Sequence, residues 1–112
     1  MIPGAEHAIV DVGKVRDYRL SSEHTVGRFK AVFFRSLGYT RSDWTRLQVD
    51  LLALCRSGTA KKRQPSAFGK KYEVRGILVG PSGLGAETVT VWMVRIGESF
   101  PRFVTAYPSE TS

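Results

Sequence analysis

The chain has one cysteine, two histidines and no apolar run long enough to cross a bilayer. Each scarcity removes a class of function. With Cys55 alone there is no internal disulfide, and no paired-cysteine redox or zinc motif can be written. His7 and His24 are the only imidazoles, so a zinc set of three or four ligands would need carboxylates from scattered positions. The ten acidic residues are spread along the chain rather than gathered as a two-metal nuclease requires. A membrane-spanning helix takes about 20 mostly apolar residues, and none is written here. We therefore expect no metal, no cofactor and no membrane partner. The opening Met-Ile-Pro-Gly-Ala-Glu-His lacks the basic and apolar regions of a secretory leader. The expected site of action is cytoplasmic, reached directly or as part of something larger.

What is present is positive charge. Seventeen Lys and Arg against ten Asp and Glu give a formal charge of +7, a field that draws nucleic acid, acidic proteins or anionic surfaces. The excess is uneven. Lys61, Lys62, Arg63, Lys70, Lys71 and Arg75 lie close together with only Glu73 among them, and Arg95 follows on a later segment. These seven are the candidate nucleic-acid-binding residues, although part of such a run is equally a solvated loop. At 112 residues the chain is expected to form one domain, 1–112, with a core that needs no disulfide or metal.

Periodicity predicts helices first and strands later. Ile9-Val10-Asp11-Val12 reads as a short edge strand, and Lys14 to Leu20 as a helical turn with Val15 and Tyr18 inward. Val26, Phe29, Phe33 and Leu37 form one stripe of an amphipathic helix opened by Ser21-Ser22 and closed at Gly38. Thr40-Arg41-Ser42-Asp43 resembles a capping box, and Trp44, Leu47, Leu51, Leu54 and Cys55 mark the inner face of a second helix ending at Gly58. A short link between the two makes them antiparallel. Residues 59–69 read as a flexible basic loop. Strands follow at about Lys70 to Val79, Thr88 to Ile96 and Arg102 to Tyr107, with Pro81-Ser82-Gly83 and Gly97 in the turns. The expected fold is α+β, N-terminal helices packed on a C-terminal antiparallel meander of three to four strands.

The last strand carries the most chemistry. Strict alternation puts Phe103, Thr105 and Tyr107 on one side and Arg102, Val104 and Ala106 on the other. Thr105 and Tyr107 then offer two hydroxyls side by side to a phosphate. His24, at the mouth of the first helix, is the acid/base candidate, because imidazole titrates near neutrality and a helix N-terminus favours a phosphate. Gly27 and Lys30 follow it at steps of three. RNA brings its own 2′-hydroxyl nucleophile, so a base, an acid and cations suffice for its cleavage. The same residues also fit plain structural duty: Thr and Tyr are good strand formers, and Arg95 and Arg102 can pair with Glu87 or Glu98. Trp92 and Cys55 fit the core.

The segments Tyr18-Arg19-Leu20, His24-Thr25-Val26-Gly27-Arg28-Phe29-Lys30-Ala31, Phe34-Arg35-Ser36-Leu37-Gly38 and Pro101-Arg102-Phe103-Val104-Thr105-Ala106-Tyr107-Pro108 resemble a small bacterial domain family found alone and at the ends of toxin-like proteins. More distantly, helices followed by a meander and a last strand reading Thr-Ala-Tyr-Pro are similar to the barnase–EndoU–colicin–RelE superfamily of metal-independent ribonucleases. That resemblance implies an active face with His24 and Lys30 on the helix side and Thr105 and Tyr107 on the strand side, to which we add Arg102 as a candidate for stabilising charge on phosphorus. It also implies RNA as substrate and an acidic antitoxin or immunity protein as partner. The second histidine of EndoU-like enzymes is missing unless His7 folds back, and the Glu/Arg/His set of barnase-like enzymes has no recognisable spacing here. The reading that results is a metal-independent endoribonuclease toxin. Its competitor is a non-catalytic basic module that binds nucleic acid or an acidic protein.

Overall fold

Past Gly58 the chain is rich in β-branched residues punctuated by glycine, and it folds as a four-stranded antiparallel meander. The computed structural model describes residues 2–10, 33–39 and 41–109. Strands β1 (Thr59–Lys62), β2 (Gly69–Val79), β3 (Gly85–Arg95) and β4 (Arg102–Pro108) lie side by side in chain order. The architecture is mixed helix and sheet, with the described helical segments N-terminal to the strands.

Three of the strands match the sequence expectation to within a few residues. The first does not. Residues 59–69 were expected as a loop, yet Thr59 to Lys62 pair with Arg75 to Tyr72 along the edge of β2. An eleven-residue strand leaves a row of backbone donors and acceptors on its edge, and pairing them outweighs the repulsion within Lys61-Lys62-Arg63. Glu73, opposite Lys61, further lowers that cost.

Helix α1 spans Trp44–Ser57 and is entered through a 3-10 turn at Arg41–Asp43, with Asp43 at the N-cap position. Thr40, the expected first residue of a capping box, lies outside the described residues. The predicted stripe holds: Leu47, Leu51, Leu54 and Cys55 are buried. Leu47, Leu51 and Cys55 share one core with Val74, Leu78, Trp92, Phe103 and Ala106 of the sheet, and Leu54 lies over Gly76. Among the described residues α1 is the one helix longer than two turns. The partner helix expected over 21–37 lies outside them except for its last turn, residues 33–36, which is helical. The expected edge strand from Ile9 is reduced to a parallel bridge to Arg102 on the outer edge of β4. Residues 11–12 and the turn expected over 14–20 are outside the described residues.

The N-terminal pieces are tied to α1 and to the sheet by polar contacts. Gln48 Nε2 donates to the Val10 carbonyl at 2.8 Å, and the Arg56 guanidinium donates to the carbonyls of Ala5 and Glu6. The Tyr39 hydroxyl donates to Asp50, and burial together with that carboxylate pushes the phenol well above its usual range. Gly38 sits at φ 96°, with Ser82 so close that a Cβ would lie 2.5 Å from its backbone nitrogen. That left-handed residue lets the chain turn onto the β2–β3 hairpin, where Ser82 N–H donates to the Leu37 carbonyl.

Candidate functional site

The side of the sheet turned away from α1 carries three cross-strand rows. The first is Arg63–Lys71–Met93–Arg102, its first step made by the Arg63 N–H donating to the Lys71 carbonyl. The second is Lys61–Glu73–Val91–Thr105 and the third Thr59–Arg75–Val89–Tyr107. Arg102, Thr105 and Tyr107, the three strand-borne site candidates, therefore share one face.

They do so only because the strand is irregular. Thr105 pairs with Val91 while Phe103 pairs with Trp92, so Val104 is the extra residue at which the register shifts. This β-bulge resets the alternation. Phe103 joins Ala106 in the core, its ring edge-on to Trp92 at 5.5 Å, and Arg102 moves to the side of Thr105 and Tyr107. The sequence expectation had Phe103 with the hydroxyls and Arg102 on the opposite side. Burying the Phe103 ring against Trp92 offsets the lost ladder regularity.

The face is not uniformly open. Val89 and Val91 are 2% and 3% exposed, and the Thr105 Oγ1 is withdrawn from solvent with no hydrogen-bond partner among the described residues. Accessibility is concentrated at the ends, with Arg63 and Arg95 at one and Tyr107 and Ile77 at the other.

The cations divide by strand parity. Lys61, Arg63, Lys71, Arg75 and Arg95 lie on the same face as the site candidates. Lys62 and Lys70, opposite Tyr72 and Val94, belong to the side of α1. The seven predicted binding residues are thus not one surface, because a loop became a strand. Arg63 is 3.2 Å from Glu73, and Arg75 is paired with Glu87 and bonded to Ser109. Arg102 forms a two-pronged pair with Glu98 at 2.9 and 2.8 Å and lies 5.1 Å over the Phe100 ring. That guanidinium, bonded to Glu98, holds its carboxyl below the usual carboxylate range. Lys61, Lys71 and Arg95 form no ion pair among the described residues, although the Arg95 charge helps Arg102 hold the Glu98 carboxyl down.

His24 and Lys30, the helix-side candidates, lie outside the described residues, as does Gly27. His7 stands in a 3-10 turn (Ala5–His7). Among the described residues no three His, Cys, Asp or Glu side chains gather as a metal site would need. Cys55 is fully buried and its thiol pushed up to about 11 by that burial, which removes it as a nucleophile. Phe68 and Ile96 are not among the sequence candidates, yet they are 74% and 77% exposed beside the first row. The available signal was an aromatic residue set between Arg63 and Lys70 in otherwise polar chain.

The fold has a counterpart among solved structures. The fold aligns with a chain of the contact-dependent growth inhibition toxin–immunity protein complex from Klebsiella pneumoniae 342, with a TM-score of 0.72 and 17% identity. The alignment covers 95% of this chain and 97% of that one, so the likeness is of whole folds. No curated protein matches the sequence significantly. Residues 1–110 match the family described as Domain of unknown function (DUF6883), and the chain belongs to that family.

Proposed function

We propose that this protein is a toxin of a bacterial conflict system, acting as a metal-independent endoribonuclease and neutralised by an acidic immunity protein. The observation that carries the reading is the end-to-end structural similarity to a chain of a growth-inhibition toxin–immunity complex, joined to a formal charge of +7. The charge favours a chain that meets polyanions. Supporting it is the alignment of Arg102, Thr105 and Tyr107 on successive rows of one face.

In this reading the RNA 2′-oxygen attacks phosphorus, the 5′-oxygen leaves, and a 2′,3′-cyclic phosphate forms. His24 takes the proton from the 2′-hydroxyl or gives one to the leaving 5′-oxygen, and water completes the other transfer. Lys30 and Arg102 balance the charge growing on the phosphoryl oxygens, and Thr105 and Tyr107 hold the phosphate in place. Glu98 must share or release Arg102 as the phosphate arrives, since its two oxygens occupy the guanidinium fork.

The test is expression in bacteria with growth and total RNA followed together, alongside purified protein incubated with RNA and a chelator. Wild type should arrest growth and cut RNA in the chelator's presence, leaving cyclic-phosphate ends. His24→Ala should do neither while its circular dichroism is unchanged. Cleavage that persists undiminished in His24→Ala, or that the chelator abolishes, overturns the mechanism.

The second reading, a binding module without catalysis, is favoured by two observations. Arg102 is already engaged by Glu98, and the Thr105 hydroxyl is shielded from solvent. It predicts that His24→Ala changes nothing, while charge reversal at Lys61 and Lys71 removes binding with a steep salt dependence.

A further inference from the structure

At the end of the sheet beyond the first row, Ala67, Phe68, Met93, Arg95 and Ile96 line an open cleft of about 560 Å³. Its walls are mostly apolar. Phe68 and Ile96 are the most exposed of the large apolar residues described, at 74% and 77%, so the fold itself gains almost nothing from either side chain. Phe68 is nevertheless held firmly. The Ser66 and Gly69 backbones exchange N–H to carbonyl bonds of 2.8 and 3.3 Å, the Phe68 N–H donates to Ser66 Oγ at 3.2 Å, and the Ile96 N–H donates to the Phe68 carbonyl at 3.1 Å. Gly69, at φ 151°, closes the turn where a Cβ would lie 2.2 Å from the Val94 carbonyl oxygen. The Phe68 backbone is thus held on both sides while its ring stands at the surface.

We infer that this cleft is a nucleotide subsite, in which an unstacked base of single-stranded RNA stacks on Phe68 against Met93 and Ile96. Three things choose this occupant. The cleft is open, and its volume is within the size range of small-ligand sites. Arg95 lines it and Lys71 pairs with Met93 in its wall, neither in an ion pair among the described residues, and a positive track beside an aromatic platform is what single-stranded nucleic acid requires. Met93, in its wall, pairs directly with both Lys71 and Arg102, so the backbone of a base seated here passes over the row that leads to the candidate phosphate site. The subsite deepens the ribonuclease reading and rests on it for its place beside the reacting phosphate. It requires unpaired bases, which assigns loops and single strands, not continuous duplex, as the target.

The experiment measures binding of a fluorescent ten-nucleotide 2′-O-methyl RNA, which cannot be cut, as a single strand and as a duplex. Wild type should prefer the single strand. Phe68→Ala should weaken that binding by about 5- to 150-fold, the loss of one stacked base, with its salt dependence unchanged. Phe68→Trp should bind at least as well as wild type, and its added indole emission should be quenched by the RNA. Lys71→Gln should instead flatten the log–log salt slope by about 0.7. Single-strand binding by Phe68→Ala within twofold of wild type overturns the subsite, as does equal affinity of wild type for the duplex or no binding by wild type. Loss of an acidic protein partner with RNA binding intact would also overturn it. Cleavage of natural RNA is read in parallel: cutting that survives an unaffected Phe68→Ala sinks the subsite alone. Loss of binding in Phe68→Ala when no variant cuts RNA retains the subsite and sinks the ribonuclease.

Discussion

Two threonines on neighbouring strands answer the same substitution in opposite directions. Thr105 Oγ1 is buried and makes no hydrogen bond among the described residues. In protein mutants, leaving a hydroxyl in an apolar setting without a partner costs about 1–3 kcal/mol, and valine fills nearly the same shape without that cost. Thr105→Val should therefore stabilise the fold, by about 1 kcal/mol or more, with the Tm rising about 4 °C for each kcal/mol in a domain near this size. The urea m-value should not change, because the folded surface does not. Under the ribonuclease reading the same variant cuts RNA more slowly, since the hydroxyl is kept at a stability cost for the phosphate it holds. The assays are urea unfolding followed by tryptophan fluorescence, and RNA cleavage with excess substrate. A loss of stability would refute the argument that this hydroxyl is an orphan. A gain in stability with unchanged cleavage would refute its part in the site.

Thr90→Val should be destabilising by about 1–3 kcal/mol in the same urea assay, because Thr90 Oγ1 accepts from Trp92 Nε1 at 2.7 Å and donates to the Val74 carbonyl at 3.0 Å, and valine strands the buried indole N–H. The Glu98–Arg102 pair lowers the folded-state pKa of Glu98, so the stability it contributes is present above the ordinary Glu pKa and is lost as pH falls through the depressed value. Comparing unfolding near pH 6 and near pH 3, Glu98→Gln should show a smaller pH-dependent loss than wild type, and an identical loss would remove the pair from the account. Cys55, fully buried with its thiol raised to about 11, should resist a thiol reagent at pH 8 until the chain opens, and rapid labelling of native protein would contradict the packing of α1.

Much of the architecture was legible because it is written locally. The stripe Leu47, Leu51, Leu54 and Cys55 follows from helical spacing alone, and all four are buried. The turns at residues 80–84 and 96–97 were marked by glycine, and Gly83 and Gly97 take positive φ there, at 85° each. Trp92 was read as core and is fully buried. The pairing of Arg102 with Glu98, four residues apart around a turn, was also within reach of the sequence.

By itself, then, the sequence determined helix α1, the three later strands of the meander, the basic character and the hydroxyl pair on one side of the last strand, since each depends on period or composition over a few residues. Tertiary structure decided the rest. Whether Lys61-Lys62-Arg63 is loop or strand depended on the free edge of β2, a partner ten residues away. Which side Arg102 faces depended on Trp92 accepting the Phe103 ring, which required the bulge at Val104. Phe68 stands at the surface because the end of β3 holds its backbone, with Ile96 bonded to its carbonyl. These are contacts between residues distant along the chain, and no pattern of spacing encodes the free-energy balance that selects them.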